Sequence, residues 1–202
     1  MNAQQWIDLY IILITLISNY LLIRTYLYSR VNVYLILIAG LNVYSLYYLF
    51  DITGLIETEL LGTWTDFLAI VLCICALLVM IRNSKPIFAR FPIYLTGLPL
   101  LSILFFPLVM RSLVINDLIS AIFQGGAIAS ACILFSLDHF KNQYRAYFIG
   151  GMGMLIISYI LYWFKLNTWI TGGFWVPEII SSTAFMILSL AFYQRNIKKH
   201  QE

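Results

Sequence analysis

The sequence predicts an all-α polytopic membrane protein: a bundle of seven transmembrane helices, N-terminus outside and C-terminus in the cytoplasm. Three observations carry that prediction. First, of 202 residues 62% are hydrophobic and 10% charged, whereas a soluble domain carries about 25% charged residues. Mean hydropathy is +0.89, and a water-soluble core of this size cannot hide so much apolar surface. Second, the apolar residues fall into seven runs, at 6–27, 32–50, 63–81, 87–110, 113–137, 144–164 and 177–194. Each is near the roughly 20 residues that cross a bilayer. Third, the basic residues alternate between the loops, and all but two of the 12 fall on one side.

The first run follows "MNAQQWID", which has no Lys or Arg, and no Ala-x-Ala-like cleavage pattern comes after it. It is therefore expected to be a retained span rather than a signal peptide. Each run has to be helical, because lipid offers no partner for an unpaired backbone group. Loops are short, so neighbouring helices are expected to be antiparallel, and the chain is a single domain over 1–202.

Orientation follows from Lys and Arg. Arg24 and Arg30, then Arg82, Lys85 and Arg90, then Lys141 and Arg145, then Arg195, Lys198 and Lys199 share one side. Only Arg111 and Lys165 fall on the other. The first set is expected in the cytoplasm, in a bacterial-type inner membrane. Removing one span would break the alternation. The acids run the other way: Asp8, Asp51, Glu57, Glu59, Asp66, Asp117 and Glu178 lie toward the outer face, with Asp138 and Glu202 inside.

The prolines punctuate two runs. Pro177 opens the seventh, with Glu178 behind it, where Pro is pre-set for the first helical position and an acid meets the positive end of the macrodipole. Trp169, Phe174 and Trp175 precede it as interfacial aromatics, and Gly172 and Gly173 supply a turn. Glu178 reads as a helix-start residue or as a ligand contact. Pro86 and Pro92 lie at the inner end of the fourth run, Pro99 and Pro107 within it. They are expected to kink it, either for packing or as a hinge.

Polar groups at membrane depth are the functional candidates. Asn19, Asn42 and Gln124 stand near mid-span in the first, second and fifth runs. Asn19 and Asn42 lie at similar depth and are placed to bond across the first two helices, as structural glue or as part of a polar pocket. In the fifth run Asp117, Ala121, Gln124 and Ile128 share a helical row, flanked by the small residues Gly125, Gly126, Ala129 and Ser130. In the third, Asp66, Ile70 and Cys73 form a similar row. Asp66, Asp117 and Glu178 each sit near the outer end of a helix running in the same direction. Two readings follow: an outward-facing acidic mouth above Gln124 that admits a cation or a small amine-bearing or hydroxylated ligand, or three separate solvated carboxylates. Tyr44, Tyr47 and Tyr48 crowd the second run, and Tyr44 reads as pocket lining or interfacial belt. The candidate ligand-binding set is Asp66, Asp117, Gln124, Glu178, Asn42 and Tyr44.

The inventory points away from catalysis. His139 and His200 are both on cytoplasmic segments, so no haem pair or His-rich metal cluster is expected. There is no Gly-x-Ser-x-Gly elbow, and the seventh run holds no lysine for a retinal-type Schiff base. Asp138-His139 is an acid–base pair at a headgroup or a solvated pair. Cys73, Cys75 and Cys132 lie in apolar runs and read as small membrane-buried side chains, not as a disulfide or metal set. No metal, no cofactor and no nucleic acid is expected; a net charge of +3 is too small to argue for the last.

The segment "YRAYFIGGMGMLIISYILYWFKLNTW", followed by "PEIISSTAFMILSLAFYQRN", resembles the end of the seven-helix module of bacterial receptors with diverse intracellular signalling outputs. The sixth helix of that module opens with an aromatic near a small residue, matched by Ala146 and Phe148. The seventh is small-residue, then leucine-rich, with a basic exit, matched by 181–190 and Arg195. Length and topology agree over the whole chain. The resemblance implies a sensor that binds a ligand from outside. Those receptors usually carry an outer sensory domain and an output domain; here the chain starts at the first helix and ends about eight residues after the last. A bare module is expected, signalling to a separate membrane or cytoplasmic partner through the inner loops and "RNIKKHQE". Alternatives are a non-catalytic subunit of a larger membrane complex, for which the glycines at 150, 151 and 153 offer close approach, or a small intramembrane lipid-modifying enzyme. Lysoplasmalogenase-type enzymes have similar size, but their Gly-Asp pairing is not found, and Pro177-Glu178 only loosely echoes the Pro-x-Glu of carotenoid cyclases.

Overall fold

A computed structural model describes residues 3–53, 58–109, 113–137, 142–163 and 175–199. All regular structure among them is helical: α1 (Ala3–Ser29), α2 (Val33–Thr53), α3 (Thr58–Ser84), α4 (Pro86–Ala89), a 3₁₀ segment (Ile93–Leu100), α5 (Leu101–Val109), α6 (Leu113–Leu137), α7 (Asn142–Trp163) and α8 (Trp175–Lys199). Six of these, α1, α2, α3, α6, α7 and α8, are long and apolar enough to cross a membrane. The chain is thus a polytopic helical membrane protein.

The fourth apolar run differs from expectation. It is one broken arm rather than one helix, and its prolines are the cause. Pro86 starts α4 in its first turn. Pro92 has no N–H to continue that turn and ends it. Pro99 sits inside the next stretch and removes an α-type bond there, leaving the tighter 3₁₀ winding. The arm lies along the outside of α3. At one end the Arg82 guanidinium donates to the carbonyls of Ala89 (3.0 Å) and Phe91 (2.8 Å), taking up acceptors that α4 leaves open. At the other end Phe106 of α5 stacks on Phe67 with centroids 4.0 Å apart and meets Trp64 edge-on. Phe67 and Phe106 are both 1% exposed. The arm therefore runs antiparallel to α3.

Side-chain pairs fix the other directions. Tyr34 and Tyr44 of α2 meet Asn196 and Ser182 of α8, so those two are antiparallel. Phe148 and Ser158 of α7 meet Phe192 and Pro177 of α8, again antiparallel. Phe67 of α3 meets Phe123 of α6 at 5.0 Å, at matching heights, so α3 and α6 begin at the same end. α1 runs with α8, through Tyr10–Thr183 near one end and Tyr28–Tyr193 near the other. The turn from α1 into α2 is tight: Arg30 takes a left-handed φ of 54° and its N–H bonds Tyr26 O at 2.7 Å, an αL helix end.

The result is a ring in which α1, α2, α3, α6, α7 and α8 pack each on the next, with α1 between α2 and α8, whose side chains also meet across it. Hydroxyls inside helices bond back to their own turn, as Thr15, Thr25, Thr65 and Ser189 do to the carbonyl four residues earlier. That leaves few polar groups facing lipid unpaired. Outward surfaces are apolar, from Leu16 on α1 to Leu104 on the arm. Cys73, Cys75 and Cys132 are all free thiols; Cys75 is buried, Cys73 half-buried and Cys132 exposed on the outward surface of α6.

The small-residue face expected on α6 is not where the closest approach occurs. A Cβ added at Gly126 or Gly150 meets nothing within 4 Å, whereas one at Gly151 would lie 2.7 Å from Leu188 Cγ and 3.2 Å from the Ala184 carbonyl of α8. Gly151 is what lets α7 and α8 touch. Gly151→Val is expected to cost about 1–3 kcal/mol of bundle stability through overpacking. Gly150→Val stays within about 0.5 kcal/mol. Unfolding midpoints of the two variants in the same detergent check this.

Candidate functional site

The ring encloses a cavity of about 260 Å³, close to the lower end of the roughly 300–1,000 Å³ typical of small-molecule sites. Its two ends differ. Near the starts of α3, α6 and α8 it is polar, lined by Asp66, Gln124, Glu178, Tyr44, Tyr159 and Tyr162. Deeper, it is lined by leucine, isoleucine and phenylalanine, among them Leu77, Ile128, Leu188 and Phe192.

Each polar group is placed by its helix. Glu178 lies in the first turn of α8, where the unpaired N–H groups and the macrodipole favour an anion. α8 begins at Trp175, two residues before Pro177. Pro177 is fully buried, and its carbonyl accepts the Ser158 hydroxyl of α7 at 2.7 Å. That bond ties α7 to the start of α8 beside the cavity. Behind Glu178, the hydroxyls of Ser181 and Ser182 donate to its own carbonyl at 3.0 and 2.7 Å. Asp66, on α3, turns inward between Phe67, which faces the arm, and Ala69, which faces the cavity. Its Oδ1 is buried with no hydrogen-bond partner. Asp66 and Glu178 both line the polar end of the cavity.

The neighbours form a connected aromatic and amide rim. The Trp163 indole N–H donates to Gln124 Oε1 at 2.6 Å, linking α7 to α6, and Tyr159 OH donates to the Ala121 carbonyl at 3.3 Å. Tyr48 OH donates to Tyr44 OH at 3.1 Å, and Tyr44 OH lies 3.5 Å from Ser182 Oγ. Tyr44 also meets Phe185 edge-on, with centroids 6.1 Å apart. Gln124 and Tyr44 are thus held by their partners, while the Asp66 carboxyl is left open toward the cavity.

Of the six residues expected to share a site, four do: Asp66, Gln124, Glu178 and Tyr44 line the cavity. Asp117 does not. It is exposed on α6 and is not among the residues lining the cavity. Asn42 does not either. Its Oδ1 accepts Asn19 Nδ2 at 2.8 Å, so the amide pair joins α1 to α2 away from the cavity. Sequence reasoning missed Ser158, Tyr159 and Tyr162. The signal was present in the row formed by Leu155, Tyr159 and Tyr162, spaced at helical intervals on one face. Asp138, His139 and Lys165, together with Trp169, Gly172, Gly173 and Phe174, lie outside the described residues. Among the described residues no group of His, Cys, Asp and Glu is arranged to hold a metal ion.

No protein-family model, curated protein or solved structure matches the chain. The likeness of α7 and α8 to the receptor module therefore stands on the quoted segments alone.

Gln124→Leu is expected to destabilise by about 1–3 kcal/mol, since the Trp163 N–H is left in the bundle without its acceptor. Adding Trp163→Phe to Gln124→Leu returns part of that loss. A double-mutant cycle on unfolding free energies in detergent checks the coupling.

Proposed function

We propose that this protein is a receptor-like integral membrane protein of a bacterial-type inner membrane. It takes a small ligand or cation into the ring cavity from the outer face and passes the occupied state to a separate protein partner. The observation that carries this reading is the cavity itself, with Asp66, Gln124, Glu178 and Tyr44 gathered at one end.

Its geometry suits sensing. α8 contributes Glu178 and Ser181 to the polar end, and Leu188 and Phe192 to the floor, before it runs on to Arg195 and Lys199. One helix thus touches ligand along most of its length and ends in a basic segment. A ligand drawn to Glu178 biases the position of α8 against α2, where the Tyr34 hydroxyl accepts Asn196 Nδ2 at 3.0 Å. A differential contact of this kind is what couples binding to a change at the far end.

The reading includes seven crossings. The arm is short in residues but not in length. Eight 3₁₀ residues at about 2.0 Å and nine α-helical residues at about 1.5 Å give about 30 Å, the thickness of the hydrocarbon core. The arm returns from the end of α3 to the level of the start of α6. With it counted, α1 and α8 run in the same direction, and the termini fall on opposite faces, with the basic loop residues cytoplasmic.

Two measurements test this. Reporter fusions are expected to place the N-terminus outside and the C-terminus inside; both ends in one compartment contradicts the seven crossings. For the full chain in lipid nanodiscs, small-molecule fractions from cells are screened for a rise in melting temperature. Ala127→Phe, which fills the cavity wall, is expected to abolish the rise. A rise that survives Ala127→Phe contradicts the cavity as the site.

A further inference from the structure

The lining of the cavity specifies a ligand with two unlike parts. Its polar end offers acceptors: the carboxyls of Asp66 and Glu178, on α3 and α8, with Gln124 beside them. Among the described residues that line it, none is Lys, Arg or His. The two acids therefore have no basic partner among these lining residues. Asp66 Oδ1 is buried and has no hydrogen-bond donor, an arrangement that costs free energy unless a donor arrives. Tyr44, Tyr48, Tyr159 and Tyr162 surround these acids, and ring faces attract a cation further.

The floor is the reverse. From Asp66 to Leu77 on α3 is eleven residues, and from Glu178 to Phe192 on α8 fourteen, or about 16 and 21 Å of helix at 1.5 Å per residue. Below the acids this length is walled almost wholly by apolar side chains. A bare metal ion or a small hydroxylated solute leaves that length unfilled. An anionic head meets the carboxyls with the wrong sign.

We propose that the ligand of this cavity is an amphipathic amine. Its cationic amino group is held between Asp66 and Glu178 under the tyrosines, and its single apolar tail lies along α3 and α8 toward Leu77 and Phe192. This rests on the cavity being a ligand site, and it narrows the class: the amine and the tail each add to the affinity. The head enters from the end where α3, α6 and α8 begin, and the tail goes in first or slides from the lipid between helices.

The test uses the full chain in neutral-lipid nanodiscs and defined probes: butylamine, octylamine and dodecylamine, with dodecanol and dodecyl sulfate as head-group controls. Binding is measured by titration calorimetry. Affinity is expected to rise by about four-fold per methylene until the floor is filled. At equal tail length the amine should bind at least about ten-fold tighter than the alcohol, with the sulfate weakest. Asp66→Asn with Glu178→Gln brings dodecylamine down to the level of dodecanol and leaves dodecanol unchanged, which shows that the variant is folded. Ala127→Phe weakens both. Equal binding of dodecylamine and dodecyl sulfate overturns the proposal, as does amine binding that the double variant leaves intact. If amines fail while a neutral ligand stabilises the wild type but not Ala127→Phe, the cavity remains a ligand site and the amine assignment is wrong. If nothing binds in a manner sensitive to Ala127→Phe, both fall.

Discussion

The structure depends on α8 being held from three sides at once. Gly151 lets α7 come against its middle, the Ser158 hydroxyl fastens α7 to the Pro177 carbonyl at its start, and Tyr34 and Asn196 bond α2 to its far end. α1 packs on both α2 and α8 and closes the ring between them, with Leu22 on the cavity wall. In lipid, where apolar burial drives helix association little, such close contacts and interhelical hydrogen bonds carry the assembly.

Ring closure also explains the chemistry inside. Helices that start at one face bring their first turns together, so an acid in α3 and an acid in the first turn of α8 arrive at the same end of one cavity. The aromatics come from the helices that run the other way: Tyr44 and Tyr48 near the end of α2, Tyr159 and Tyr162 near the end of α7. Polarity is thus sorted by direction, and the apolar middle of every helix becomes the floor. The cavity has a charged mouth and a greasy shaft because spanning helices have polar ends and apolar centres.

Much of this was legible in the sequence, for reasons that differ by element. Six helices follow from length and composition alone, since a run of about 20 apolar residues has one stable form in lipid. The hydrogen bond that the Asn19 side chain donates to Asn42 was legible because a tight turn sets two neighbouring helices in register. That Asp66 and Glu178 line one cavity with Gln124 was legible from the shared direction of their helices, which sets two acids near the helix starts and the amide deeper. Asp117 shows where that logic fails. Depth is readable from position, but facing depends on which side of α6 meets its neighbours, and a helix apolar all round does not disclose it. The broken arm shows the same limit for prolines. Pro92 and Pro99 announce an interruption, but whether it is a kink or a 3₁₀ stretch depends on what α3 offers in return, here the Arg82 guanidinium and the face of Phe67.

The central claim is a cavity inside the ring, open toward the outer face. The most direct measurement is thiol labelling of Ser181→Cys in a cysteine-free background, in sealed vesicles of known orientation, with Ile122→Cys on the outward surface of α6 as the comparison. The account predicts that a water-soluble, membrane-impermeant maleimide labels position 181 from the outer side only, while position 122 reacts only with a lipid-soluble reagent. Labelling of position 181 solely by the lipid-soluble reagent, or solely from the cytoplasmic side, would contradict it.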